Sequence, residues 1–315
     1  MTRIAKFRSA LAAATDKPFI APAVFNALSA QIAESAGFKG VWMGGSAITN
    51  TLLGRADGGY INLTDMLYVL NHAVDQTDEI GILADLDSGY GTFLNVMQAI
   101  QAVEKAGAVG AAIDDQLGHR TPYLGTTMAV SVSEAVGKVK AAVDARRNQD
   151  FLLVARTDTA FSEGIDAAIE RVNRYAEAGA DMAFMTGVFT DEDMSKVQRE
   201  TNIPHRMMSR YPDDMTMERV KELGFTMVAL GQLDVLRAST FAMWRYLNDL
   251  NLRGVDAMRD FAQEIAGTPF EKWLDFSGLA ALTELEKKYA SEEEYDSRHR
   301  DNPAIATAWP TAKPS

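Results

Sequence analysis

The chain has 315 residues, 47% hydrophobic and 23% charged, which is enough apolar material for a core and excludes a disordered or collagen-like polymer. It contains no cysteine, so disulfides, thiolate metal ligands, iron–sulfur ligation and thiol nucleophiles are out of reach. A net charge of -12 repels phosphate backbones and anionic surfaces, so neither nucleic acid nor membrane is an expected partner, and no apolar run approaches the roughly 20 residues that span a bilayer. Taken in chain order, residues 1–18 carry basic groups but only a brief Ala-rich stretch before Asp16 and Lys17. That stretch is too short for a secretory core, and the chain reads as cytoplasmic.

Short β-rich apolar runs follow at residues 19–25, 40–43, 80–84, 109–113, 151–155, 182–185, 206–208 and 226–230. They alternate with helical periodicity at 28–36, 63–76, 94–106, 132–147, 165–178, 191–200, 215–223 and 234–250. Gly37, Gly107, Gly179 and Gly224 each stand just after a helical stretch and just before a strand, the place where glycine closes a helix in the left-handed conformation. The strands are continuously apolar, as in a parallel sheet covered on both faces. Eight strand–helix units, with no G-x-G-x-x-G turn, predict a closed (β/α)8 TIM barrel over residues 1–250. Beyond it, helical stretches at 253–266, 270–276 and 279–289 predict a C-terminal helical arm and tail over residues 251–315. Its Phe270, Trp273 and Phe276 cluster needs a surface, either the barrel of its own chain or a second subunit.

In such a barrel the chemistry sits at the C-terminal ends of the strands. The third strand ends in Asp85-Leu86-Asp87-Ser88-Gly89-Tyr90-Gly91, the fourth in Asp114-Asp115-Gln116, and the fifth in Arg156-Thr157-Asp158. Asp85 and Asp87 alternate with Leu86 and are predicted to point the same way. Converging carboxylates suit a hard divalent ion, so Asp85, Asp87 and Asp114 form a predicted Mg²⁺ (or Mn²⁺) site. Aspartates after strands also serve as helix N-caps or turn formers. Arg156 offers a planar fork to a substrate carboxylate or phosphate, or pairs with Asp158 or Asp114 as a structural bridge. Gly44, Gly45 and Ser46 leave backbone amides and a hydroxyl at the rim for an anionic oxygen. Residues 49–60 read as a polar loop carrying Asp57, a base, a water-mediated metal contact or a turn residue.

Together the segments Trp42-Met43-Gly44-Gly45-Ser46, Leu53-Gly54-Arg55-Ala56-Asp57, Asp85-Leu86-Asp87-Ser88-Gly89-Tyr90-Gly91, Asp114-Asp115-Gln116 and Ala155-Arg156-Thr157-Asp158 resemble the isocitrate lyase and phosphoenolpyruvate mutase superfamily. The order and spacing match from about residue 4 to about residue 250. The resemblance implies a Mg²⁺-dependent enzyme acting on a small 2-oxo or 2-hydroxy acid through an enolate-like intermediate. It also implies that Asp85, Asp87 and Asp114 hold Mg²⁺ partly through waters, that Gly45 and Ser46 bind the substrate carboxylate, and that Trp42 walls the pocket. Arg156 would contact the oxyanion and Asp57 would sit near the reacting carbon. A homo-oligomer, dimer or tetramer, with the last barrel helix exchanged between subunits is implied as well.

Departures narrow the subclass. The lyases carry Cys-Gly-His after strand four, and this chain has no cysteine. The phosphonate enzymes carry Glu-Asp-Lys and then an Asn-Ser or Thr-Ser pair; here the shorter Asp114 opens Asp114-Asp115-Gln116, and neither the lysine nor the pair follows. His119, Arg120 and Tyr123 lie on the presumed lid and could transfer a proton or bind a leaving carboxylate, or be surface residues. Arg210 could bind a second anionic group or pair with Asp213 and Asp214. The expected activity is C–C cleavage, by a decarboxylase or lyase. C–P chemistry of the phosphonopyruvate hydrolase or mutase type, and a non-catalytic metabolite-binding barrel, are the alternatives.

Overall fold

Capping chemistry and apolar period together delimit the elements. The computed structural model describes residues 1–118, 128–188, 190–208, 215–229 and 233–299. Its elements in chain order are α1 (Arg3–Ala13), β1 (Phe19–Ile20), β2 (Ala23–Val24), α2 (Ala27–Ser35), β3 (Gly40–Met43), α3 (Gly45–Leu53), α4 (Leu63–Asp75) and β4 (Gly81–Asp85). Next come α5 (Phe93–Lys105), β5 (Gly110–Asp114), α6 (Val132–Ala145), β6 (Leu152–Thr157), α7 (Ile165–Glu177), β7 (Met182–Met185), α8 (Asp191–Glu200), β8 (His205–Met208), α9 (Met217–Glu222) and β9 (Met227–Val228). Side chains of Asn26, Asn62, Ser131, Thr190 and Thr216 cap the helices that follow them. The glycines expected at helix ends, Gly37, Gly107, Gly179 and Gly224, all take positive φ.

Among the described residues nine parallel strands run in the order β1-β9-β8-β7-β6-β5-β4-β3-β2, the (β/α)8 barrel type. The first predicted strand is divided. Pro22 has no N–H to donate to a ladder, and the two short pieces on either side of Ala21-Pro22 pair with different neighbours. Ala21 N–H donates to Val228 O at 2.9 Å, while Pro22 O accepts from Trp42 N–H at 3.0 Å. One stretch of chain thus passes from β9 to β3 and closes the ring.

The longer strands are buried on both faces, and successive residues join two different clusters. Leu83, Ala112, Leu152, Val154, Met182 and Phe184 belong to one buried cluster, whereas Ile82, Ala84, Ala111, Ile113, Leu153 and Ala183 belong to the other, with the helices. The first cluster is the barrel interior and the second the helix–sheet layer. Helix α1, which the apolar pattern did not predict, plugs the interior cluster with Phe7 and Leu11. Gly40 and Gly81 open β3 and β4 where the Phe7 ring lies; a Cβ on them would stand 2.7 and 2.6 Å from ring carbons of Phe7.

The chain divides into two compact units, Met1–Ala238 and Ser239–Ser315. The first contains the sheet. In its described residues the second is helical, comprising most of α10 (Asp234–Arg253), then α11 (Val255–Glu264), α12 (Trp273–Phe276), α13 (Leu279–Tyr289) and α14 (Glu292–His299). The Phe270, Trp273 and Phe276 cluster forms there, with Phe276 5.1 Å from Phe270 and 5.8 Å from Trp273 between ring centroids. No helix among the described residues is long and apolar enough to cross a membrane.

Candidate active site

Strand parity brings the acidic groups together. Asp85 is two residues beyond Leu83, Asp114 two beyond Ala112 and Arg156 two beyond Val154, so all three continue the interior-facing row. Asp114 and Arg156 are direct register partners on β5 and β6. Asp87 arrives differently from the expectation that it shares a strand face with Asp85. Strand β4 stops at Asp85, and Asp87 takes φ +49 in a left-handed turn with its amide 3.4 Å from Asp85 Oδ1. The carboxylates of Asp85, Asp87 and Asp114 are all buried.

The structure takes the pairing that the sequence left open for Arg156. Nε and Nη2 donate to Asp158 Oδ1 and Oδ2, both at 2.9 Å, a two-point, charge-assisted bond. The guanidinium carbon lies 5.2 Å from the Phe184 ring centroid. Gln116 Nε2 and the Thr186 hydroxyl also donate to Asp158. Burial opposes ionisation of Asp158, but Arg156 and these donors outweigh it and hold the carboxyl below its usual range. Asp114 goes the other way: burial pushes it up to about 7 against the pull of Arg156, with Asp158 and Asp85 adding to the push.

Gly44-Gly45-Ser46 does not form a free loop. Gly44 is the N-cap of α3, which runs to Leu53 through part of the predicted polar loop. The rim therefore presents the first turn of a helix, whose unpaired amides favour anions. A Cβ on Gly45 would stand 3.5 Å from Asp87 Oδ1, which places the helix start beside that carboxylate. Ser46 Oγ donates to Asp57 Oδ2, which joins these two expected site residues. Trp42 lies fully inside the barrel, its ring edge-on to Phe184 at 5.9 Å. His119, Tyr123 and Arg210 lie outside the described residues.

Sequence reasoning missed a layer of support. Asp115 Oδ2 accepts from Thr157 Oγ1 and Tyr175 Oη, both at 2.7 Å, and from Arg171 Nη1 at 3.5 Å. Arg171 Nη1 also donates to Val130 O at 2.9 Å. Arg171 and Tyr175 sit four apart on the buried face of α7, so a charged residue within an apolar helical stripe was the available signal. Gln116 was visible only as the neighbour of Asp114 and Asp115.

The donor set fits a hard divalent cation. Asp85, Asp87, Asp114 and Asp158 are buried in the neighbourhood of Arg156, and their anionic oxygens are the hard donors such an ion takes. Among the described residues no group of three Asp, Glu or His side chains is placed to hold a metal ion unaided. An ion here would keep waters in several positions, as Mg²⁺ characteristically does.

A barrel with an arginine among carboxylates at its C-terminal rim has the layout of a (β/α)8 enzyme that handles small anionic substrates. Residues 7–249 match the phosphoenolpyruvate phosphomutase family, and the chain belongs to that family, within the phosphoenolpyruvate mutase and isocitrate lyase superfamily. It is 31% identical over 301 residues to 2,3-dimethylmalate lyase of Eubacterium barkeri, covering 92% of this chain and 99% of that one. It is 31% identical over 278 residues to the chloroplastic carboxyvinyl-carboxyphosphonate phosphorylmutase of Arabidopsis thaliana, covering 86% and 80%. A solved structure of oxaloacetate acetylhydrolase with 3,3-difluorooxalacetate superposes with TM-score 0.79 at 26% identity, covering 91% of this chain and 97% of that one. The protein is an enzyme of the lyase type.

Proposed function

We propose that the protein is a Mg²⁺-dependent enzyme that cleaves a C–C bond in a small 2-oxo or 2-hydroxy diacid, as a decarboxylase or lyase. The observation that carries this reading is the gathering of the buried Asp85, Asp87 and Asp114 at the strand ends, with Asp114 in register with Arg156. Asp85, Asp87 and Asp114 would hold the ion, with Mn²⁺ as a substitute. Bound there, Mg²⁺ supplies Lewis-acid stabilisation of negative charge on a substrate oxygen.

The chain's own groups do the rest. The first turn of α3, through Gly45 and Ser46, binds the substrate carboxylate. Arg156 spends Nε and Nη2 on Asp158 and keeps Nη1 for the oxygen on which charge develops. Trp42 and Phe184 form the apolar floor under it. Asp57, hydrogen-bonded to Ser46, is the carboxylate nearest the reacting carbon, and Gly44 leaves room for the substrate beside it. His119 and Tyr123 are the proposed proton donors and Arg210 the proposed contact for a second anionic group.

Similarity to a phosphorylmutase at 31% identity supports C–P chemistry as a second reading. Incubation with oxaloacetate, substituted malates and phosphonopyruvate, with and without Mg²⁺, decides between them. Metal-dependent loss of a malate or of oxaloacetate is expected; consumption of phosphonopyruvate alone would replace the first reading with the second. We further propose that the protein assembles as a homo-oligomer through α10, exchanged between subunits. That helix exposes Phe241, Met243, Trp244 and Leu247, an apolar row that calls for a partner surface. Light scattering on the eluting protein reads the mass, and a 34.4 kDa species would refute assembly.

A further inference from the structure

The turn that presents Asp87 is strained. Asp87 and Tyr90 take φ +49 and +59 without being glycine, a conformation that costs roughly 1–2 kcal/mol per residue and persists where the surroundings impose it. From within, Gly89 N–H closes the turn on Leu86 O at 2.9 Å. From outside, Lys138 on α6 reaches between the two strained residues and donates Nζ to Ser88 O at 3.0 Å.

Lys138 is an unusual residue in its place. It is 5% exposed and shares the buried face of α6 with Ala135, Val139 and Ala142, where lysine is almost never found without a partner. Among the described residues Ser88 O is that partner. The preceding residue points to the same target. A Cβ on Gly137 would stand 2.9 Å from Phe93 Cε1, so glycine lets α6 close on the first residue of α5, just past the turn. A glycine inside a helix costs about 1 kcal/mol relative to alanine. Two locally unfavourable residues, side by side on α6, thus both serve its approach to residues 88–93.

We propose that Lys138 is a positioning residue: its ammonium, held on the Ser88 carbonyl, keeps the left-handed turn in place and so sets the Asp87 carboxylate for the divalent ion. The inference rests on the assignment of Asp85, Asp87 and Asp114 as metal-holding groups made above. Lys138 touches neither substrate nor metal in this scheme.

The test is Mn²⁺ binding to the full chain without substrate, read from the free-ion electron paramagnetic resonance signal, for the wild type, Lys138→Met and Lys138→Arg. Thermal melting of the metal-free proteins is followed in parallel. The expected result is a Kd for Mn²⁺ at least about tenfold weaker in K138M, and within about threefold of the wild type in K138R, the range typical of partners that orient metal ligands. A K138M protein that melts lower yet binds Mn²⁺ like the wild type would show a merely structural lysine and overturn the proposal, as would K138R binding as weakly as K138M. A wild type that binds no Mn²⁺ would instead remove the metal assignment itself. Should K138M fail to fold, Lys138→Gln, with a shorter amide donor, carries the same comparison.

Discussion

The amide of Asp114 donates to the carbonyl of Asp87 at 2.7 Å, so two acidic residues from different strand ends are tied backbone to backbone. Neither can shift alone. The approach of these two strand ends is therefore held by a main-chain bond, which substitution of either carboxylate leaves available.

Asp85→Ala is expected to lower turnover by roughly 10³-fold, the effect of losing several kcal/mol of charge stabilisation, while the far-ultraviolet circular dichroism stays that of the wild type. Initial rates across a Mg²⁺ titration are the measurement. Undiminished activity would take Asp85 out of the site.

Arg156→Met leaves Asp158, 2% exposed, without its guanidinium. Breaking a buried pair from one side costs about 3–5 kcal/mol, to be read from urea denaturation. Pairing the change with Asp158→Leu should recover part of that loss, because the double variant removes the stranded Asp158 charge. A double variant as unstable as R156M would contradict the ion-pair account.

Glu34 links α2 to the start of β4: its carboxylate accepts the amides of Asp78, Glu79 and Ile80 at 2.7–3.2 Å. Burial by itself would raise its pKa, but the three donors and the charge of Arg3 outweigh it and hold the carboxyl below the usual 4.5. A depressed folded pKa means the contribution is fully present above the unfolded value and disappears as pH falls through the folded one. Since the group is largely solvated, about 1 kcal/mol is expected. Glu34→Gln should accordingly reduce stability at pH 7 and flatten its decline below pH 4.5; parallel acid limbs in the two proteins would argue against the assignment.

Gly81→Ala would place a methyl 2.6 Å from Phe7 Cδ2, an overpacking that costs about 1–3 kcal/mol. Phe7→Leu in the same chain should relieve part of it, and a double-mutant cycle on thermal denaturation measures the coupling. Simple additivity would mean that α1 does not press on the barrel floor as described.

What could be read from the amino-acid order was whatever neighbours in the chain decide. The apolar runs and the glycines at helix ends marked the strand–helix alternation, and from it the barrel and its active rim, because burial on two faces and left-handed caps are requirements of a few adjacent residues. Asp85, Asp114 and Arg156 were legible for the same reason, as residues just after or at the end of such runs. Folding in three dimensions decided the rest. The left-handed backbone of Asp87, the commitment of Arg156 to Asp158, the Ser46–Asp57 contact and the reach of Lys138 to Ser88 each depend on a balance of local strain or charge burial against a partner. Where the partner is distant, as Ser88 is from Lys138, a free energy shared between separate elements leaves no periodic mark in either stretch of sequence.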